Sequence, residues 1–248
     1  MSSNRGTTRR EFVRGAALAG GLALGGLAGR TRAADAPVSG KKTEAPGQAE
    51  EDVSPPEDLM REHGALNRIL LIYEEFLRRL ASKRVDLDPA IVAASAGLIR
   101  SFVEDYHEKL EEDHLFPRFE KAGKLVELVV VLRQQHTAGR RLTDLTLHLA
   151  TPAAMRTAGD REKLAVTLRQ FIRMYRPHEA REDTVLFPAI RQVVTAKEFD
   201  VLGDKFEDQE KALFGPDGFE GIVAKIAGLE KSLGINDLAQ FTPKNIGM

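Results

Sequence analysis

The sequence predicts an all-α protein, an antiparallel up-down-up-down four-helix bundle with an additional C-terminal helical segment. Over residues 57–192, apolar side chains recur at intervals of three and four positions in four long stretches, which is the periodicity of amphipathic helices. No stretch shows the strict alternation of polar and apolar residues that predicts a β-strand. Only short joints separate the four stretches, and short joints favour antiparallel neighbours in a bundle.

Composition narrows the chemistry that such a bundle can carry. The chain has 248 residues, of which 42% are hydrophobic and 29% charged, as expected for a soluble globular protein with a core. The formal net charge of -1 gives no field that favours nucleic acid, so we expect no nucleic-acid partner. Cysteine is absent, which excludes disulfides, thiolate metal sites and iron–sulfur clusters. A metal ion would have to be held by histidine and carboxylate side chains.

The N-terminus has the pattern of an export signal. The paired Arg9 and Arg10 precede Phe12, an apolar run follows, and small residues lead to a cut point near residue 36. We interpret residues 1–36 as a signal peptide that resembles a twin-arginine signal, read by the twin-arginine export machinery, and expect a periplasmic or otherwise exported protein. The alternative is an ordinary secretory signal or a membrane tether, although the run is too short for an ordinary membrane-spanning helix.

The regions on either side of the bundle differ in composition. Residues 37–56 are rich in Pro, Gly, Lys and Glu and are predicted to form a disordered linker. Residues 193–248 contain two amphipathic stretches separated by a turn at 215–218. We expect this C-terminal extension to be helical and to pack on the bundle.

Start and stop signals divide residues 57–192 into four helices. The first follows the linker. The second begins with Asp88 as its cap and Pro89 in its first turn, and it ends at Gly123. A third helix follows at once, and Asp160 is predicted to cap the fourth.

The two halves of this region repeat one polar motif. A histidine is followed four residues later by a glutamate and then by Leu-Phe-Pro, and the motif recurs 71 residues further along the chain. A single histidine on the preceding helix accompanies each copy. The repeated residues are His63, His107 and Glu111 in the first half, and His136, His178 and Glu182 in the second.

This pattern favours a metal site between the helices. Residues four apart lie on one face of a helix, so each histidine–glutamate pair can point at the same ion. A buried carboxylate alone is unfavourable, but a shared cation makes its burial reasonable. Singly, each of these residues could be an ordinary surface or core side chain; their joint recurrence favours ligation. Imidazole and carboxylate without sulfur suit iron, with manganese or zinc as alternatives.

The ordered set of six residues, with Glu112 after Glu111 and Leu-Phe-Pro after each pair, resembles the hemerythrin-like (HHE cation-binding) domain family over residues 57–192. The resemblance implies an antiparallel four-helix bundle that holds two non-haem iron ions bridged by carboxylates and an oxo or hydroxo group. It also implies that Glu111 and Glu182 are the bridging carboxylates and that the four histidines are terminal ligands.

The chain departs from the oxygen-carrying members of that family at one position. They have a second histidine one turn after the histidine of the third helix, where this chain has Arg140. Glu108 and Glu179, which each follow a candidate ligand histidine, could serve as extra metal ligands; alternatively they hydrogen-bond to a ligand or face solvent. His114 and His148 have no counterpart in the repeat and are predicted to be surface residues.

We therefore expect a non-haem di-iron protein that binds or senses oxygen, nitric oxide or a peroxide. One alternative is a di-iron enzyme, an oxidase or a protein that removes peroxide or nitric oxide, because carboxylate-rich di-iron sites tend to activate oxygen. Another is a metal-free structural bundle, in which the repeated histidines would face solvent or scatter instead of converging.

Overall fold

The computed structural model describes residues 53–82 and 87–244, and every regular element within these ranges is helical. The all-α prediction is therefore confirmed. The predicted signal peptide over 1–36 and most of the predicted linker over 37–56 lie outside the described residues. The last two residues of that linker already belong to the first helix, which begins at Pro55.

Helix α1 (Pro55–Ala81) begins with a capping arrangement. The carboxylate of Glu57 accepts hydrogen bonds from the backbone N–H of Ser54 at 2.8 Å and from its hydroxyl at 2.7 Å, which satisfies donors that the first turn leaves unpaired. His63 is buried on the same face of the helix as the apolar residue Leu66. The helix thus carries a polar side chain into the core.

The second helical segment alternates between α and π geometry. As predicted, Asp88 caps it, because its carboxylate accepts a hydrogen bond from the N–H of Ala90 at 2.9 Å. Gly123 ends it with a φ of 65°, a backbone conformation that glycine adopts without a Cβ clash. Its elements are α2 (Pro89–Leu98), π1 (Ile99–His107), α3 (Glu108–Leu110), π2 (Glu111–Leu115) and α4 (Phe116–Ala122).

Two further long helices complete the core. The third is α5 (Val126–Leu149), and the fourth segment comprises α6 (Ala158–Arg181), π3 (Glu182–Leu186) and a 3₁₀ turn (Phe187–Gln192). The prediction that Asp160 caps α6 is wrong: Thr157 is the cap, and its hydroxyl accepts a hydrogen bond from the N–H of Asp160 at 3.2 Å. Asp160 instead lies in the first turn, where a negative charge is favoured by the helix dipole.

The π-helical turns coincide with the repeated motif. Elements π2 and π3 begin at Glu111 and Glu182, and in π2 the N–H of Phe116 donates to the carbonyl of Glu111, five residues back. The next residue in each half is a proline, Pro117 or Pro188, which has no N–H to donate. The widened turn therefore breaks no hydrogen bond at that position. Such turns are frequent at functional sites.

The C-terminal extension folds onto the first helix. Its helices are α7 (Ala196–Phe214) and α8 (Gly218–Leu233). Helix α8 contacts α1 and α2, and Phe219 and Ile226 are buried there. The guanidinium of Arg68 in α1 donates through Nε to Glu230 of α8 at 2.9 Å. This ion pair and the apolar contacts attach the extension to the bundle.

The long helices enclose one apolar core. Helices α1 and α5 each pack against α2, π1 and α6. Buried aromatic rings from different helices meet inside, such as Tyr73 and Phe171 with centroids 5.8 Å apart. None of the helices that the structure describes combines the length and the apolar character needed to span a bilayer.

The packing of α5 on α6 requires a glycine at position 139. A Cβ added at Gly139 would lie 2.0 Å from the hydroxyl oxygen of Tyr175. We predict that Gly139→Ala lowers the free energy of unfolding by about 1–3 kcal/mol, the typical penalty of overpacking a core. Thermal unfolding followed by circular dichroism measures this change. The control is Gly97→Ala, because a Cβ at Gly97 meets no atom within 4 Å; a helical alanine there should raise stability by about 0.5–1 kcal/mol.

A candidate metal centre

Two buried glutamates lie at the centre of the bundle. Glu111 and Glu182 are both 0% exposed, and each is the first residue of a π-helical turn. The structure brings all four repeated histidines around them, and each of these is also buried. The six residues singled out by the repeat therefore converge, as a metal site requires and as the metal-free alternative does not predict.

Every one of the four histidines directs Nε2 at a central carboxylate. The distances from Nε2 to Oε2 of Glu182 are 3.0 Å for His178 and 3.4 Å for His63. The corresponding distances to Oε2 of Glu111 are 3.4 Å for His136 and 3.8 Å for His107. Each glutamate is thus flanked by one histidine of its own helix and one of a neighbouring helix.

The other ring nitrogen of each histidine has a separate partner. The Nδ1 contacts are His63 with Asp183 at 2.7 Å, His107 with Glu62 at 2.8 Å, His136 with Glu112 at 3.0 Å, and His178 with Gln135 at 2.9 Å. All four partners are carboxylate or amide oxygens, so Nδ1 donates the hydrogen bond. A donated Nδ1–H leaves the lone pair of a neutral imidazole on Nε2, which is the arrangement that metal-binding histidines use.

The central atoms lack hydrogen-bond partners that the described part of the chain could supply. Nε2 of His107 and of His136 and both oxygens of Glu111 and of Glu182 are buried without a well-directed hydrogen bond. Leaving buried polar groups unsatisfied is costly, and charged ones especially so. A bound cation would satisfy all of them at once. The donor set of imidazole nitrogen and carboxylate oxygen therefore fits a metal.

The ligand atoms form two adjoining groups. In one, atoms of His63, His107, Glu111 and Glu182 all lie within 4.8 Å of one another. In the other, atoms of His136, His178 and Glu182 do so. Glu182 belongs to both groups, so two ions could be bound side by side with a shared carboxylate.

Burial and the neighbouring charges shift the pKa values of the side chains in the centre. Burial and the neighbouring charge of Glu182 raise the pKa of Glu111 well above its usual range. The pKa of Glu182 is lowered in spite of burial, because His178 and His63 stabilise its charged form. Burial opposes protonation of His63, but its contacts with the carboxylates of Asp183 and Glu182 raise its pKa to about 10. His63 and Glu111 therefore bind protons more tightly than the same side chains do in water.

Glu108 and Glu179 are buried beside the centre, but neither belongs to the two central groups of ligand atoms. Glu108 instead belongs to a separate group with Glu112 and His136, whose ligand atoms also lie within 4.8 Å of one another. Glu108 accepts a hydrogen bond from the hydroxyl of Tyr175 at 2.6 Å and pairs with Arg140 at 2.8 Å. Glu179 accepts a hydrogen bond from the side-chain amide of Asn67. Burial raises the pKa of both glutamates to about 8.

The two remaining histidines lie away from the centre. His148 is exposed, as predicted. His114 is only partly exposed, and its ring stacks on Phe206 of the C-terminal extension with centroids 6.1 Å apart. His114 is therefore partly covered, because Phe206 of helix α7 packs against its ring.

Three of the Nδ1 partners were not predicted from the sequence. Glu62, Gln135 and Asp183 hold His107, His178 and His63, but none of them was singled out. A signal was present, since each is adjacent in the chain to a candidate ligand. The repeat also pairs them: Glu62 and Gln135 precede equivalent histidines, and Glu112 and Asp183 follow equivalent glutamates.

Comparisons with known proteins agree with this geometry. A family model described as the hemerythrin HHE cation binding domain matches residues 54–190 and residues 131–214. The chain is 50% identical over 228 residues to an uncharacterized protein of Mycobacterium tuberculosis strain H37Rv, a match that covers 92% of this chain and 88% of that relative. An uncharacterized protein of Mycobacterium bovis matches with the same identity and coverage. No solved structure matches the chain.

The Nδ1 partners should affect metal affinity without being ligands. We predict that Asp183→Ala weakens metal binding about 10–100-fold, the usual effect of removing a partner that orients a ligand histidine. Competition with a chromogenic chelator measures the affinity. Asp113→Ala is the control, because Asp113 is an exposed carboxylate that pairs with Lys109 at the surface. Equal affinities of the two variants would contradict a role for Asp183 in orienting His63.

Proposed function

We propose, from the premise that the chain belongs to the hemerythrin HHE cation-binding domain family, that it is a non-haem di-iron protein that binds or senses oxygen, nitric oxide or a peroxide. The proposal includes an antiparallel up-down-up-down bundle formed by the four long helical segments. One observation carries it: four histidines direct Nε2 at two fully buried glutamates whose oxygens have no well-directed hydrogen bonds.

The ligand atoms suggest how two ions would be held. His63 and His107 would bind one ion, His136 and His178 the other, and Glu111 and Glu182 would bridge them. Nitrogen and oxygen donors without sulfur suit iron, and manganese or zinc are the alternatives. Bound iron would supply the redox chemistry that an exogenous oxygen or nitrogen ligand requires.

Aromatic side chains exclude water from the centre and help to fix the orientation of its histidines. The ring of Phe187 stacks on His63 with centroids 5.4 Å apart, and the ring of Phe116 stacks on His136 at 5.5 Å. All four rings are buried. Because His63 and His136 are each held at Nδ1 and covered on one face, their Nε2 atoms are oriented before any ion arrives.

We also propose that this protein works outside the cytoplasm after export by the twin-arginine machinery. The paired arginines before Phe12 and the apolar run that follows support this proposal. Folded cargo carried by that route would allow the metal centre to be assembled before export.

A di-iron enzyme is the second candidate. Arg140 lies where a further imidazole would complete an oxygen carrier, and it pairs with the buried carboxylate of Glu108 and the half-buried carboxylate of Glu112 at 2.8 Å each. A centre with fewer imidazoles and more carboxylates nearby favours activation of oxygen or peroxide over reversible binding. Turnover of peroxide, oxygen or nitric oxide by the purified iron-loaded protein distinguishes an enzyme from a carrier or sensor.

Metal analysis tests the proposal directly. We expect about two irons per chain, the content of a two-ion carboxylate centre, and an oxo-to-iron charge-transfer band in air. Glu111→Gln and Glu182→Gln should each lose iron, because each removes a carboxylate shared by both ions. The control is Glu127→Gln, since Glu127 is exposed on α5. Unchanged iron content in both centre variants would refute the ligand assignment, and a metal-free wild type after reconstitution would favour the structural bundle.

Iron binding should release protons. The pKa of His63 is raised to about 10, and the pKa of Glu111 is raised well above its usual range, so both groups bind protons more tightly than free side chains do. Both must lose them to act as ligands, so apparent affinity should fall as the pH is lowered. Calorimetric titration in two buffers of different ionisation enthalpy measures the number of protons released. A binding heat independent of the buffer would contradict this account.

A further inference from the structure

Glu108 and Glu179 occupy equivalent positions in the internal repeat but have different surroundings. Each directly follows a candidate ligand histidine, and both are buried. A carboxylate so close to a bound cation is expected to compete for a place among the ligands. The contacts that hold each glutamate therefore determine which coordination positions of the ions remain open to another ligand.

Both oxygens of Glu108 are engaged by neighbouring side chains. Oε1 accepts the hydroxyl hydrogen of Tyr175 at 2.6 Å. Oε2 forms an ion pair with Nη2 of Arg140 at 2.8 Å, although this contact is not a well-directed hydrogen bond. Glu108 is 1% exposed, so water does not compete with these partners. A buried hydrogen bond and a buried ion pair are both stronger than the same contacts would be in water, because the local dielectric constant is low.

The two partners are themselves held in place. Nη2 of Arg140 also donates to Oε1 of Glu112 at 2.8 Å, and the same oxygen of Glu112 contacts Nδ1 of His136 at 3.0 Å. The phenol of Tyr175 fits against the backbone of Gly139, where a Cβ would collide with it. Arg140 and Tyr175 therefore form a fixed clamp on Glu108, and the clamp is joined to a candidate ligand.

The equivalent glutamate in the other half is held less tightly. Asn67, the repeat counterpart of Arg140, donates its side-chain amide to one oxygen of Glu179. The other oxygen, Oε1, is buried and has no hydrogen-bond partner among the described residues. The repeat counterpart of Tyr175 is Glu104, so the repeat provides no phenol at the corresponding position beside Glu179.

We propose that the clamp formed by Arg140 and Tyr175 keeps Glu108 off the metal, and that this leaves a binding position for a small exogenous anion at the ion held by His136 and His178. Azide and hydroperoxide are anions of this class. The inference rests on the proposed di-iron function and adds to it the half of the centre at which the external ligand binds. Glu179, with its uncommitted oxygen, is the glutamate that can turn toward the ion held by His63 and His107.

Azide binding to the full-length, iron-loaded protein tests the clamp. Azide bound to ferric iron gives a charge-transfer band, so an optical titration yields its affinity. In Arg140→Gln/Tyr175→Phe, Glu108 is released and should occupy the open position. We expect iron content to be retained and azide affinity to fall by about tenfold or more, as for changes in the partners of metal ligands. Adding Glu108→Gln to this variant should restore azide affinity.

Matched variants separate the clamp from charge and folding effects. Arg141→Gln removes the same charge from the next, exposed residue of α5 and should bind azide like the wild type. Glu108→Gln alone should retain both iron and azide binding, and it provides a test even where the double variant does not fold. Loss of iron in Glu108→Gln, unaltered azide binding in the folded double variant, or failure of the triple variant to recover would each overturn the inference. A wild type that binds no iron would instead refute the proposed function.

Discussion

The fold depends on one electrostatic constraint, the burial of two neighbouring carboxylates. Glu111 and Glu182 are fully enclosed, and two negative charges so placed repel each other while lacking water. Ordinary packing cannot compensate for this, so the structure surrounds both with imidazole nitrogens and leaves their oxygens for a cation. A core built this way is polar at its centre and apolar on both sides, which is why its stability and its metal content should be linked.

The same constraint explains why the four helices have to be placed together. Each histidine is on one helical segment, and the residue that fixes its Nδ1 is on another. His107, for example, is oriented by Glu62 of α1, while the neighbour of Glu62 in the chain, His63, is oriented by Asp183 of π3. Moving one helix would therefore disturb both its own ligand and the ligand it holds elsewhere. Helix packing and ligand orientation therefore depend on the same contacts between helices.

The features that could be predicted from the sequence are those that the hydrophobic periodicity and the internal repeat encode. The helices, the cap at Asp88 and the convergence of the six repeated residues all follow from local patterns. The clamp on Glu108 could not be predicted, because Arg140 and Tyr175 meet only when α5 and α6 pack together. Nothing in their spacing along the chain relates them. The π-helical turns were missed for a related reason: a pattern of apolar residues does not distinguish a regular turn from one widened ahead of Pro117. The position of His114 depended on where a later helix packs.

The internal repeat gives the centre a symmetric frame, and its few exceptions give the two halves different chemistry. Asn67 and Arg140 are equivalent by position, yet one is neutral and the other places a full charge beside His136. A guanidinium so near the carboxylates of Glu108 and Glu112 offsets their charge and fixes their geometry at once. In the other half the amide of Asn67 fixes only one oxygen of Glu179. Two ions bound in such a frame would not be equivalent, and an external ligand would encounter a half with a fixed carboxylate and a half with a carboxylate able to turn.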